Sequence, residues 1–273
     1  MLRLATDTGW WLVTHPDHAR LAGAFAARWG NDLFASPEPR GHVLAGIAMH
    51  DDGWAARDAA PQITRHGLPS AFSSELVGKY SAFEEIDLVD YLAVRERAVA
   101  LVAAENPYAA LLVSMHTYNL LTARADRSTI VPAQLPLLDD FLERQRSLQQ
   151  ELHARIADDA ALAAAETAVP RIQDHFRLLQ ATDNLSLLAC VDYRQAATLL
   201  HPLPLRAGGH TEVQVTSAGV RRFRLAPYPF PEPELGFEFP ARHVLGKEFA
   251  TAAALQESFH TAPVEMLTVT VTQ

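Results

Sequence analysis

Five ionisable residues fall where the hydrophobic pattern calls for apolar ones. His50 stands three residues after Ile47 and seven after Val43, and Asp51 borders the same stripe four after Ile47. Asp183 lies seven after Phe176, four after Leu179 and four before Leu187. His116 follows Leu112 by four and Val113 by three, with Leu120 four further on. His18 precedes Leu21 by three and Phe25 by seven. These spacings put each residue on the inward face of a helix. Burying a lone carboxylate is costly unless it is paired or bound to a metal. Two carboxylates and three imidazoles turned to a common interior make a coherent donor set for a divalent transition metal: iron, manganese or zinc, as one ion or two. Taken singly, each is weaker evidence. A lone histidine on an apolar face is usually a hydrogen-bonded core residue, and a His-Asp dipeptide is expected by chance in a chain with 12 histidines. The shared inward faces of four helices carry the argument.

Other polar residues read more simply. Thr14 with Asp17 resembles a helix-capping pair, Pro16 suits a first turn, and His15 belongs to the same helix start. Asp52 reads as a solvated helix end rather than a base behind the metal. Arg57, Arg65 and Lys79 lie where they could hold a substrate phosphate, but read as surface charges. Trp54 either walls a pocket or joins the core, and Cys190 among Leu187, Leu188 and Val191 reads as an inert buried thiol. His153 and His175 are the candidates for a further histidine pair between 116 and 183. P-loop, dinucleotide and nucleophile-elbow motifs are missing, and Glu257 with His260 is the single Glu-x-x-His of a di-iron type.

The elements that must position these residues can be read from periodicity and punctuation. A short strand at 9–13 leads into a helix from Thr14 that Gly30 closes; a second starts after Pro39 and stops at Asp52-Gly53. Further helices are expected at about 84–104, 108–123, 136–157 and 170–192, with a short one between Ala160 and Ala168. The stretch from Trp54 to about Phe83 reads as a long loop. After His201, alternating prolines from Pro227 to Pro233 favour extended chain, and Val213/Val215, Phe237/Phe239 and Leu267/Val269/Val271 alternate as half-buried strands do. The expectation is a mainly α protein: residues 1–200 as a helical domain with an N-terminal strand, and residues 201–273 as a small β-rich segment packed on it, which the N-terminal strand can join.

Composition bounds the function. The 273 residues are 49% hydrophobic and 20% charged, enough to bury a core. A formal charge of −9 argues against a nucleic-acid partner, because affinity there comes mainly from neutralised phosphates. Lys79 and Lys247 are the only lysines, so the positive charge is mostly arginine. No apolar run approaches the ~20 residues of a membrane helix, and the N-terminus lacks a signal-peptide pattern. A cytoplasmic protein acting on a small molecule is expected, with no membrane or nucleic-acid partner.

The order His18, His50-Asp51, Asp183, all on helices, resembles the HD superfamily of metal-dependent phosphohydrolases. His116 falls where binuclear members carry an extra histidine. The resemblance implies an HD-like helical bundle in which His18, His50, Asp51, His116 and Asp183 are metal ligands, and Asp51 also orients the attacking water. It implies a metal-dependent hydrolase of a phosphate ester or phosphoanhydride, with a phosphorylated small-molecule substrate. Two alternatives keep the same fold: an iron-dependent HD-type oxygenase, and a non-catalytic binding or regulatory module. The segments HPDHARLAG, MHDDGW and SMHTYNLL, with the proline-rich tail, also resemble the domain-of-unknown-function 3891 family over most of the chain.

Overall fold

The computed structural model describes residues 1–77, 87–164 and 169–273. The chain begins with an antiparallel hairpin, β1 (Leu2–Ala5) and β2 (Gly9–Val13), and enters α1 (His15–Arg28). Thr14 caps α1 by accepting the Asp17 backbone N–H, with proline in the first turn, as its spacing predicts. α2 (Arg40–Met49) follows, then a 3₁₀ turn at Asp52–Trp54 and the short α3 (Ala55–Asp58). The long helices α4 (Leu88–Ala103), α5 (Pro107–Asn119) and α6 (Leu135–Asp158) come next, then α7 (Ala160–Ala164) and α8 (Val169–Cys190). These agree closely with the periodicity. Residues 84–86 and 165–168 of the expected helices lie outside the described residues, as do 78–83 of the expected loop with Lys79.

The rest of the chain is β-rich: β3 (Ala197–Thr198), β4 (Leu203–Pro204), β5 (His210–Thr211), β6 (Gln214–Gly219), β7 (Arg222–Ala226) and β8 (Glu234–Leu245). Helix α9 (Ala252–Thr261) and β9 (Val264–Thr272) complete it. Here the expectation of a mainly α, HD-like bundle with a small β segment fails. About 51% of the chain is helix and 21% strand, and seven of the described strands form a curled half-barrel while β4 and β5 pair with each other. Its order is β1-β2-β8-β9-β7-β6-β3, with β7 and β9 parallel and the other neighbours antiparallel. Alternation of apolar residues marks a strand but does not name its partner. β2 pairs with β8, Gly9 facing Leu245 and Leu12 facing Arg242, so the first strands and the last share one sheet.

Helix α1 lies between this sheet and the other helices, against α2, α8 and β8. One buried cluster runs from Leu111 and Leu185 through Leu21 and Phe25 to Phe237, Phe239 and Val269. The Phe25 and Phe237 rings meet edge to face at 4.7 Å. The sheet therefore acts as a rigid wall behind α1, which carries His18. Small residues set the helix spacing: a Cβ on Gly23 of α1 would lie 2.7 Å from the Ala48 Cβ of α2, too close for any side chain.

Candidate metal centre

Helices α1, α5 and α8 and the end of α2 bring the five predicted residues into two adjoining groups that share His50. His18 comes from α1, His116 from α5 and Asp183 from α8, while His50 ends α2 and Asp51 begins the turn that follows it. All five are buried, from 0% exposure for His50 to 6% for Asp183. Donor atoms of His18, His50 and Asp51 lie within 4.8 Å of one another, and so do those of His50, His116 and Asp183. His18 Nε2 is 3.0 Å from Asp51 Oδ2, and His50 Nε2 is 3.3 Å from Asp183 Oδ1 and 3.9 Å from Asp51 Oδ2. Atoms each bonded to one ion at ~2.0–2.2 Å sit roughly 3–4 Å apart, a spacing these donors match, as hydrogen-bonded imidazole–carboxylate pairs also do.

The outer nitrogens decide what the inner ones can do. His50 Nδ1 donates to the Ile47 carbonyl at 2.7 Å, a partner that only accepts. His18 Nδ1 lies 2.9 Å from Ser186 Oγ, whose own hydrogen goes to the Asp183 carbonyl at 2.8 Å. Ser186 therefore accepts from His18. Both rings commit their Nδ1–H outward, and in the neutral state both turn an Nε2 lone pair toward a carboxylate oxygen. Lone pair against carboxylate is repulsive unless a proton or a cation lies between them. His50 Nε2, despite its proximity to Asp183, makes no aligned hydrogen bond and is a buried polar atom without a partner. On α5, His116 Nδ1 is 2.9 Å from the Gln180 amide nitrogen, while the Gln180 amide oxygen has no partner. Turned over, that amide accepts Nδ1–H and leaves His116 Nε2 free as a ligand.

Electrostatics point the same way. Burial raises the Asp51 carboxyl, but Arg95 first, then His50 and His18, hold it well below the usual carboxylate range. Burial lowers His50, yet Asp51 and Asp183 outweigh this and lift it to about 9. Burial and the adjacent His50 push His116 down to about 3, keeping it neutral. The two carboxylates hold a proton on His50 above neutral pH, so this buried space draws positive charge, which a metal ion displacing that proton would also supply.

Sequence reasoning missed Arg95, Gln180 and Ser186, although the criterion that found the other five applies to them. Arg95 lies four residues after Tyr91 and four before Val99 on the buried stripe of α4. Gln180, Asp183 and Ser186 are spaced by three along one face of α8. Arg95 Nη1 grips Asp51 Oδ1 at 2.5 Å. Gly53 permits that contact: a Cβ there would lie 2.2 Å from the Val94 carbonyl oxygen, so only glycine lets the turn after Asp51 pack against α4.

The remaining polar residues lie elsewhere. Asp52 pairs with Arg20 at 2.8 Å at the rim. His15 donates its backbone N–H to Asp58 and stacks on Trp54, with ring centroids 4.3 Å apart. Trp54 is buried, and Arg57 reaches toward Asp90 at 3.5 Å. Arg65 is exposed beside His66, and His153 is exposed on α6. His175 is buried against Tyr108, far along α8 from Asp183. Cys190 is a buried free thiol that burial pushes up, so it is inert. Glu257 and His260 lie on α9, a helix absent from the sequence reading.

A family model described as "Protein of unknown function (DUF3891)" matches residues 1–245. The chain belongs to the DUF3891 family. That match takes in every residue of the buried His/Asp cluster and the strands β1, β2 and β8 that back it. Neither the curated proteins nor the solved structures contain a match to this chain. None of the described helices is long and apolar enough to cross a membrane.

Proposed function

We propose that this DUF3891 protein is a metal-dependent hydrolase of a phosphate ester or phosphoanhydride. The observation that carries the reading is the pair of inward imidazole nitrogens, His18 Nε2 and His50 Nε2, each set against a carboxylate oxygen with its other nitrogen already committed. The donor set fits a divalent ion: the Nε2 atoms of His18, His50 and His116 with Asp51 Oδ2 and Asp183 Oδ1. Both donor groups share His50, whose one free lone pair serves one metal, so a single ion is expected.

A divalent iron, manganese or zinc ion bound there supplies a Lewis acid and lowers the pKa of its water toward neutrality. The chain's own residues do the positioning. Arg95 occupies Asp51 Oδ1, which keeps the carboxylate ionised and turns Oδ2 to the centre, where it can accept a hydrogen bond from water. Ser186, the Ile47 carbonyl and Gln180 fix the three rings. The order His18, His50-Asp51, Asp183, with His116 between, is that of HD-type phosphohydrolases and supports a phosphorylated small-molecule substrate. The formal charge of −9 disfavours nucleic acid as that substrate, and we place the activity in the cytoplasm.

The test is an assay of protein reconstituted separately with iron, manganese and zinc against phosphate monoesters, diesters and nucleoside polyphosphates. Phosphate release should follow metal content and vanish in His50→Ala and Asp183→Ala. Dioxygen consumption by the iron form without phosphate release would replace this reading with an oxygenase. Metal loading with neither activity would leave a binding module.

A further inference from the structure

Beside the centre, two buried side chains each keep one N–H without a partner, although the Arg95 guanidinium is also hydrogen-bonded to Tyr91. Arg95 Nη1 is held by Asp51, but Arg95 Nε is buried without a partner. The indole nitrogen of Trp54, Nε1, is buried without a partner as well. The two side chains are neighbours, the guanidinium carbon lying 5.4 Å from the Trp54 ring centroid. Tyr91 closes the group: the same carbon is 5.2 Å from its ring centroid, and its ring meets Trp54 edge to face at 5.7 Å. Exposure of Arg95, Trp54 and Tyr91 is 6%, 3% and 6%.

The sign of these orphans is informative. Guanidinium and indole are donors only, so no rotation converts either into an acceptor. The unpartnered amide oxygens of Gln180 and Asn119 differ, because an amide presents oxygen or nitrogen by turning over. Leaving buried donors unmade is costly, and an acceptor brought by a ligand would satisfy these two neighbouring side chains. One of them carries full positive charge, so the acceptor it favours is an oxyanion. Its setting is fixed by His15 stacking on Trp54 and by Asp51 holding the guanidinium.

We infer that Arg95 and Trp54 seat a phosphoryl oxygen of the substrate beside the metal centre. The inference rests on the hydrolase reading and names the residues that select its phosphoryl group. Arg95 then serves twice: Nη1 orients Asp51 toward the metal, and Nε with Trp54 Nε1 receives the oxyanion. The indole ring also shields the guanidinium from water, which strengthens its grip.

Calorimetric titration of inorganic phosphate into metal-loaded protein tests this, with metal content measured on the same samples. The parent protein, Trp54→Phe and Arg95→Gln are compared. Trp54→Phe keeps an aromatic ring and removes only the donor, so metal content should stay at the parent value while phosphate binds at least fivefold more weakly. Arg95→Gln should weaken phosphate at least tenfold. If Arg95→Gln also sheds metal through its hold on Asp51, the Trp54→Phe result decides. Metal-loaded variants that bind phosphate within twofold of the parent would overturn the inference, as would a metal-loaded parent that binds none. A parent that takes up no metal would instead overturn the hydrolase reading beneath it.

Discussion

Helix α8 carries two buried polar constellations, and they are built differently. Near its start, His175 Nδ1 and the Tyr108 hydroxyl meet at 2.6 Å, and neither side chain leaves a buried polar atom unpartnered. Two turns on, Asp183 joins His18, His50, Asp51 and His116, where carboxylate oxygens face imidazole nitrogens and His50 Nε2 has no aligned partner. The first arrangement is closed and complete; the second leaves His50 Nε2 without an aligned partner, a demand that a metal ion or a proton at its centre could meet. Burial alone does not separate them, since His175 is 7% exposed and Asp183 6%. What separates them is whether each polar group's demand is met inside the protein.

The largest effects should come from removing donors in the open constellation. Asp183→Ala or His50→Ala should lower metal affinity by about a thousandfold or more while leaving the circular-dichroism helix signal near that of the parent, because α2 and α8 are held by apolar packing. Metal content at the parent level in both variants would erase the contrast between the two sites. Next, Ser186→Ala removes the acceptor that fixes the His18 ring, and metal affinity should fall by about 10–100-fold in a competitive chelator titration.

The closed pair predicts a response to acid instead. Burial, then Arg171, pushes His175 down to about 4, whereas the unfolded residue titrates near 6.5. As pH falls below 6.5 the unfolded chain takes up this proton first, so stability is lost between about 6.5 and 4, amounting to about 2 kcal/mol by pH 5. Urea melts of His175→Gln should show a shallower loss over that range; an unchanged slope would mean that His175 does not stay neutral in the fold. The smallest effect belongs to Tyr108→Phe, which should cost about 1–2 kcal/mol of stability and leave metal content untouched.

The same contrast explains what could be read from sequence. His18, His50, Asp51, His116 and Asp183 were legible because each interrupts an apolar stripe at helical spacing, a local signal. His175 interrupts a stripe in the same way, so the pattern finds buried polar residues without telling an open site from a closed pair. That distinction depends on partners such as Ser186, the Ile47 carbonyl and Tyr108, which only the folded chain brings into place. The long helices were legible almost to their ends because their packing faces repeat locally, whereas the short α3, inside the expected loop, and α9 were not read. The sheet was not: β1 spans four residues, too few for a clear alternation, and β2 finds β8 more than two hundred residues away. With its neighbours out of sight, the β-rich tail read as an appendage instead of the larger part of a seven-stranded wall.

The central claim is that a cation completes the open constellation. Elemental mass spectrometry of the protein, purified without added metal or chelator, measures this most directly. About one equivalent of iron, manganese or zinc per chain is the predicted result, falling to background in Asp183→Ala. A protein that stays metal-free after incubation with each of the three ions would contradict the claim. It would make the cluster a second closed pair, with protons in the place assigned here to a metal.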